Sequence, residues 1–456
     1  PVRIDVTEMA FGNFVDWEIP RPKAAVDGDP GPTDISRLVG TVRRAAQDLA
    51  VPDPRKPWLP ELATTYDFKL LPNARTDSQL VLGVMDDPRT QSQPTVAYQP
   101  DRDGNMAIYG TGGSGKSATL RALAVASAVT PRGGPVQVYG LDFGARGLRP
   151  IEDLPHVGAV IDGDDEEGVG RLLRMLRDVV DDRATRYAAV RAGSVSEYRE
   201  RADAPEEPRI VLLVDGVGAF REAYEFAPGQ AFAAFSQIAV DGRQVGVHVI
   251  VTGDRPNAVP MSIASTIQRR VVLRMATEDD YVLLGVAKDV LSPTSPPGRA
   301  VMDGNEIQVA MLGGSANLAV QSRKLAGLAD SMSRHGVAPA PGIGRLPAQV
   351  RLTDLPRTDQ KGRLVIGVDD DSLGPAVLDA SGPLLVSGPP GSGRTTSLIS
   401  IAQAAKRGRR GVRVLHLAPR RTSLAGMSVF DESVISPEAV SERAGQLAEA
   451  IEPGRI

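Results

Sequence analysis

The chain has 456 residues, enough for two or three domains of roughly 150 residues each. The absence of cysteine excludes disulfides, thiolate metal sites and a cysteine nucleophile, and it fits a reducing cytoplasm. A formal net charge of −4 argues against extensive non-specific nucleic-acid binding, which depends on neutralising phosphates. No apolar run approaches the ~18 residues of a membrane-spanning helix.

Residues 1–20 alternate (Val2, Ile4, Val6) and then carry Phe11, Phe14 and Trp17, the pattern of strands belonging to something upstream. Pro20 to Pro32 is rich in Pro, Gly and Asp and reads as a linker. Thr33 and Asp34 can cap a helix whose apolar face is Ile35, Leu38, Val39, Val42, Ala46 and Leu49. A second extended connector, Pro52–Pro60, follows. Residues 1–56 are therefore expected to be the tail of an upstream domain plus a linker helix.

The next module, 57–330, alternates strands and helices. Strands are expected at 105–109, 136–141, 210–214, 247–252 and 270–275, with helices at 116–129, 166–191 and 230–242. Abundant Ala, Val, Leu and Gly with 4% aromatics suit parallel strands buried on both faces. The order predicts an α/β fold with a doubly wound, mostly parallel sheet, flanking helices and a ligand at the strands' C-terminal ends. At that place stand Gly110, Thr111, Gly112, Gly113, Ser114, Gly115, Lys116 and Ser117, followed by Ala118. They fit the phosphate-loop pattern G-x-x-x-x-G-K-[ST], between the strand Asn105–Tyr109 and a segment of strong helix formers. Loop glycines let backbone N–H groups converge on phosphate oxygens, and the helix N-terminus adds partial positive charge. Lys116 is expected to reach the β- and γ-phosphates of ATP, and the Ser117 hydroxyl to bind Mg²⁺.

Arg209-Ile-Val-Leu-Leu-Val-Asp215 is a continuous apolar run ending in a carboxylate. Placed after a complete phosphate loop it reads as the acidic strand end that holds Mg²⁺ through water, so Ser117 and Asp215 are the expected metal-site residues. Gly216 stands where a hydrolytic ATPase normally has a Glu to deprotonate water, and losing that base costs on the order of 10² to 10⁴ in rate. Slow hydrolysis is expected, with Gly216→Glu as the change that would restore the base. Thr252, ending His248-Val-Ile-Val-Thr252, either senses the γ-phosphate or satisfies a strand-end backbone group, and His248 reads as structural. Arg270, in Ile267-Gln-Arg-Arg270-Val-Val-Leu273, either faces a neighbouring subunit's phosphoryl group or is a solvated strand entrance. Asp142 either lines the site or caps the next turn.

The chain then begins the same module again. Leu80-Val-Leu-Gly-Val-Met-Asp-Asp87 is echoed by Leu364-Val-Ile-Gly-Val-Asp-Asp-Asp371, and Met106–Ser117 by Leu384–Thr395, offset by about 280 residues. The second loop comprises Gly388, Pro389, Pro390, Gly391, Ser392, Gly393, Arg394 and Thr395, with Thr396 after it. Arg394 replaces the loop lysine, and its planar head does not fit a point-charge position without adjustment. This site is either a degenerate nucleotide pocket or an empty structural loop. Residues 331–456 read as a truncated second module, because the chain ends before a matching acidic strand. The basic cluster Lys406, Arg407, Arg409, Arg410 and Arg413 reads as a cationic helix end.

Pro57-Trp-Leu-Pro60, Leu82-Gly-Val84, the loop 110–117, Leu141-Asp-Phe-Gly144, Leu154-Pro-His-Val-Gly158, Asp215, Thr252 and Arg270-Val-Val-Leu273 occur in this order. Together with the weaker second module they resemble the FtsK/SpoIIIE superfamily of RecA-like ring ATPases, and more closely the EccC-type ATPases of type VII secretion. The resemblance covers nearly all of residues 50–456. It implies that 60–325 is a second ATPase domain and 340–456 the start of a third, below a membrane-embedded core reached through the upstream region. It further implies a ring homo-oligomer at the cytoplasmic face of the inner membrane, and WXG-type secreted proteins docking by their C-terminal tails. Lys116, Asp215, Thr252 and Arg270 would be its catalytic residues, with Arg270 acting on a neighbouring ATPase domain. The competing reading is a DNA translocase of the FtsK kind, and a third is a nucleotide-gated scaffold without turnover.

Overall fold

The computed structural model describes residues 33–51, 59–72, 75–130, 133–227, 229–370 and 373–450. The alternating stretch at 1–20, the linker after it and residues 52–58 of the second connector lie outside these. The chain divides into two compact units, 1–59 and 60–456. In the first, Thr33 caps helix α1 (Asp34–Asp48) by accepting the Ser36 N–H at 3.2 Å. The apolar stripe Ile35, Leu38, Val39 and Val42 of this helix is exposed.

The second unit is built on an eleven-stranded sheet. Its strands are β1 (Tyr66–Asp67), β2 (Leu80–Met85), β3 (Thr95–Tyr98), β4 (Asn105–Tyr109), β5 (Val136–Asp142), β6 (Val157–Asp162), β7 (Arg209–Asp215), β8 (Val247–Gly253), β9 (Ile267–Leu273), β10 (Arg299–Met302) and β11 (Asn305–Met311). Their order is β3-β2-β11-β10-β9-β4-β8-β7-β5-β6, with β1 beside β11. From β9 to β6 every pairing is parallel, whereas β10, β11, β2 and β3 form an antiparallel wing. The fold is thus the expected doubly wound, mostly parallel α/β sheet with flanking helices.

Short helix α2 (Pro100–Asp103) leads into β4, and α3 (Lys116–Ala128) links β4 to β5 on one face. The small side chains of α3 let it be buried along most of its length, between the sheet and α10 (Leu318–Arg334). On the other face lie α4 (Glu166–Ala189), α5 (Val195–Arg201), α6 (Val217–Tyr224) and α7 (Ala231–Asp241), packed through Leu172, Leu176, Phe220, Phe235 and Ile238. Because β4–α3–β5 and β6–α4–β7 cross on opposite faces, the chain reverses direction beside β4. Such a reversal opens a crevice at the strands' carboxyl ends. Short helices α8 (Met261–Ala264) and α9 (Glu278–Leu283) flank β9, and α10 continues to Arg334, past the boundary set at 330.

At the opposite, N-terminal edge a buried ionic cluster fastens the wing to the core. Arg209, 0% exposed, bonds Asp77 at 3.1 Å and Asp101 at 3.0 Å, and Asp77 also pairs with Arg199 at 2.7 Å. His248 lies 3.0 Å from Arg209, and burial beside that cation pushes its pKa down to about 3, so it is neutral and structural.

The strand expected at 270–275 runs instead from 267 to 273, while β6 and the antiparallel wing were not anticipated as sheet members. Strand β6 is an edge strand with partly exposed residues, so its sequence lacks the continuous apolar run of β7.

The second module repeats the first in reduced form. Strands β12 (Leu364–Val368) and β13 (Pro375–Leu378) make an antiparallel hairpin whose register shifts between Val365 and Gly367. The β2–β3 pair shifts between Val81 and Gly83, the equivalent place. Helix α11 (Arg394–Gly408), strands β14 (Leu415–Ala418) and β15 (Glu432–Ile435), paired in parallel, and α12 (Pro437–Ala450) follow. The segment that echoes β4 forms no strand, and its Leu384 and Leu385 are exposed. In the first module β4 is held between β8 and β9, and among the described residues no strand offers the echo that ladder.

The two modules are in direct contact. The Tyr139 hydroxyl donates to the Pro341 carbonyl at 3.0 Å, the Ala340 N–H to Pro155 O at 2.8 Å, and Arg171 on α4 to Gly344 O at 2.8 Å. Arg171 also pairs with Glu167 and with Asp370, and Arg345 with Asp165 at 2.5 Å.

Candidate functional site

The loop 110–115 leaves β4 and is fastened on both sides. On the β8 side the Gly110 N–H donates to Gly253 O at 3.0 Å. On the β9 side the Thr111 N–H and hydroxyl donate to Arg274 O at 2.9 and 3.0 Å. Gly113 and Gly115 have φ of +72° and +112°, the region that favours glycine, and Gly115 starts α3. A Cβ on Gly115 would also lie 2.6 Å from the Gly298 nitrogen, whose N–H donates to Ser114 O at 2.8 Å. The loop thus delivers the chain to the N-terminus of α3, where an anion is favoured.

Lys116 reaches back over the loop, donating to Gly110 O at 2.6 Å and Thr111 O at 3.0 Å. Burial lowers its pKa, and the carboxylates of Asp215 and Asp254 oppose that shift. Ser117 Oγ donates to Asp215 Oδ2 at 2.5 Å, and Thr252 Oγ1 donates to Asp215 Oδ1 at 2.6 Å. Thr252 Oγ1 in turn accepts the Gly216 N–H at 2.8 Å. The structure thus brings Lys116, Ser117, Asp215 and Thr252 together. Both readings of Thr252 survive, since it caps a backbone group while facing the carboxylate.

Asp142 is the turn cap of its two readings. Its carboxylate accepts from Gly144 N at 3.0 Å and Leu148 N at 2.8 Å, and burial, with the nearby Asp215 charge, raises its pKa. The turn it caps carries Gly147 over the site, where a Cβ would sit 2.6 Å from Ser117 Oγ. Arg121 fixes that turn by donating to Gly147 O at 2.7 Å. Sequence reasoning missed the 143–148 turn as a wall of the site, and the Leu141-Asp-Phe-Gly144 segment was its visible signal. It also missed Asp254, one residue past β8, and Arg274, one residue past β9.

Arg270 is not in this group. It is exposed on β9 opposite Ala107, three residues before the strand's end, while its neighbour Arg269 pairs with Asp103 at 2.8 Å and with Asp303. The donor set Ser117 and Asp215 suits Mg²⁺, which takes one or two hard protein oxygens and completes its shell with phosphates and water. Among the described residues there is no cluster of three or more His, Asp or Glu that would cage a metal by itself.

The second loop has the same backbone. Gly391 and Gly393 have φ of +82° and +89°, Ser392 N donates to Pro389 O at 3.2 Å as Ser114 N does to Thr111 O at 3.3 Å, and α11 starts at Arg394.

A glycine loop with lysine and serine at the head of a helix, facing an acid-ended strand of a doubly wound sheet, defines the P-loop NTPase class. Residues 71–300 match the model of the FtsK/SpoIIIE family, and the chain belongs to that family. Among curated proteins it is similar to the ESX-1 secretion system protein EccCb1 of Mycobacterium tuberculosis, 28% identical over 424 residues, covering 87% of this chain and 70% of that protein. Among solved structures it resembles EssC (ATPases 2 and 3) from Geobacillus thermodenitrificans, with TM-score 0.69 and 21% identity over 86% of this chain and 76% of that one. It also resembles Thermomonospora curvata EccC (ATPases 2 and 3), solved in complex with a signal sequence peptide, with TM-score 0.64 and 23% identity over 87% and 75% of the two chains. No described helix is long and apolar enough to cross a membrane.

The backbone at Gly216 bears on the expected Gly216→Glu repair. Gly216 has φ +87°, a conformation L side chains rarely adopt, so a Glu is strained there even though the nearest atoms, of Phe143, leave room for a Cβ. A non-glycine residue in this region costs about 1–2 kcal/mol. Gly216→Glu and Gly216→Ala are both expected to lower the melting temperature, and the Glu variant to gain no phosphate release. A Glu variant as stable as the parent and faster in a phosphate-release assay contradicts this.

Proposed function

We propose that this chain is an ATP-binding motor segment of a type VII protein secretion system, corresponding to the second ATPase domain and part of the third. The observation that carries the reading is the hydrogen-bonded set Ser117, Asp215 and Thr252 beneath one phosphate loop, with Lys116 bonded to the loop's own carbonyls. ATP would lie with its β- and γ-phosphates against the loop amides and Lys116. A bound Mg²⁺, held by Ser117 and Asp215, would supply charge neutralisation between those phosphates. Turnover is weak in this reading, because Gly216 supplies no base.

WXG-type secreted proteins are the partners, docking C-terminal tails on the later module. The similarity to secretion ATPases, one of them solved with a signal peptide, supports this. The upstream region would join a membrane-embedded core at the cytoplasmic face of the inner membrane, with the chain in a ring of identical subunits. The loop 388–396 is a second, degenerate nucleotide site, supported by its copied backbone. Arg270, exposed on β9, acts on an adjacent ATPase domain rather than on its own loop.

Lys116→Ala is expected to abolish Mg-ATP binding in equilibrium dialysis with the fold intact, since the β/γ-phosphate charge loses its partner; unchanged binding refutes the site. Arg270→Ala is expected to leave nucleotide affinity of this chain nearly unchanged while lowering turnover of the longer protein that carries the upstream ATPase domain. Equal turnover there, or loss of nucleotide affinity here, counts against the role in trans. Titration with a candidate secreted-protein tail and with duplex DNA, each at low and moderate salt, separates export from DNA translocation. Peptide binding is expected, and tight, salt-sensitive DNA binding without it overturns the reading.

A further inference from the structure

The two flanks of the phosphate loop differ in chemistry. Strand β4 has β8 on one side and β9 on the other. Asp215 and Thr252, at the ends of β7 and β8, make the first flank acidic and hydroxylic, suited to the metal and the terminal phosphate. The second flank begins with Arg274, the residue after β9.

The Arg274 backbone anchors the loop through Thr111, and its side chain turns toward the loop tip. Nη2 lies 3.9 Å from the position a Cβ would take on Gly113. Nη1 donates to the Pro293 carbonyl at 3.0 Å and to Ser295 O at 3.4 Å. The same 291–298 segment ends in Gly298, whose N–H is bonded to Ser114 O. The guanidinium is thus braced at Nη1 by the segment that buttresses the loop. Nε and Nη2 make no hydrogen bond to a described residue, and among the described residues Arg274 makes no ion pair. That distinguishes it from Arg209, Arg199 and Arg269, each neutralised by a carboxylate. A half-buried, braced guanidinium with spare donors and no carboxylate partner among the described residues, beside a phosphate loop at a helix N-terminus, is an anion-binding arrangement.

We propose that Arg274 is a nucleotide-binding residue acting in cis on the nucleoside-diphosphate portion of the ligand. This rests on the reading of the 110–117 loop as an ATP site. A triphosphate whose metal-bound end faces Asp215 and Thr252 runs its other end toward the β9 flank. Arg274 there touches the α- and β-phosphates or the ribose and does not reach the γ-phosphate. Its contribution is therefore the same for ATP and for ADP. It differs in this from Arg270, which stands four residues earlier, exposed on β9.

The test is calorimetric titration of the full chain with Mg-ATP and Mg-ADP, for the parent and for Arg274→Ala, Arg274→Gln and Lys116→Ala, with thermal melts as fold controls. Gln keeps a polar side chain of intermediate length while removing the charge, so it carries the test alone should the Ala variant not fold. Both Arg274 variants are expected to weaken ATP and ADP by a similar factor, about tenfold or more. Unchanged affinity for both nucleotides overturns the inference, as does a loss confined to ATP, which places the guanidinium at the γ-phosphate. If Lys116→Ala leaves binding intact, the nucleotide site itself is refuted and the inference falls with it. If Lys116→Ala abolishes binding and the Arg274 variants match the parent, only the inference falls.

Discussion

The Asp215 carboxylate joins three parts of the chain that are far apart in sequence. One oxygen accepts from Ser117 in the first turn of α3, the other from Thr252 at the end of β8, and its own backbone carbonyl accepts the Phe143 N–H at 2.9 Å. A buried carboxylate is tolerated only where its oxygens are satisfied, and here they are satisfied by the groups that define the site. The parallel ladder makes this possible, because β5, β7, β8 and β4 are in register and end at nearly the same height. Strand pairing thus positions the chemistry, and the hydroxyls then fix the carboxylate's rotamer.

The part of this that was legible in the sequence is the part governed by local rules. A glycine loop before a run of helix formers, and apolar strands ending in Asp215 and Thr252, are local patterns, and the structure places the loop and both residues at one crevice. The antiparallel wing was not legible, because whether Leu80–Met85 pairs with Asn305–Met311 is decided by contacts more than 200 residues apart. The same holds for the 143–148 turn. The Leu141-Asp-Phe-Gly144 segment marks a turn but not that it folds back over Ser117, where Asp142 caps it and Arg121, bonded to Gly147 O and to Gln321, ties it down. The missing base at Gly216 was visible as an identity, but not its conformation. Positive φ is a property of the turn from β7 into α6, so the simple repair suggested by the sequence conflicts with the backbone.

The repeat illustrates the difference between copying a loop and copying a site. Backbone dihedrals at Gly391 and Gly393 and the Ser392 hydrogen bond reproduce those at Gly113, Gly115 and Ser114, because they depend on glycine positions and on a helix starting next. Around the first loop, however, Gly253, Arg274 and Gly298 supply bonds from three other segments. The described residues give the second loop no strand on either side, and Leu384 and Leu385 remain exposed where Met106 and Ala107 are buried. A phosphate loop is a local motif, whereas a catalytic site also needs the neighbouring strands that deliver acid and hydroxyl.

The contacts between the modules converge on the element that borders the nucleotide crevice. Helix α4 begins at Glu166, directly after the Asp162–Gly163 turn against which the Phe143 ring lies, and Phe143 is bonded to Asp215. Five residues into that helix, Arg171 holds both Gly344 of the connecting segment and Asp370 of the second module's hairpin turn. Arg171 is itself shielded while Glu167 and Asp370 are about half exposed, so the hairpin is tied to α4 through one guanidinium. In the proposed reading of weak turnover, binding energy not used in chemistry would be available only as a difference between conformations. The Phe143–Gly163 contact lies between the site and the anchor, bonded to the Asp215 strand on one side and preceding the anchoring helix on the other.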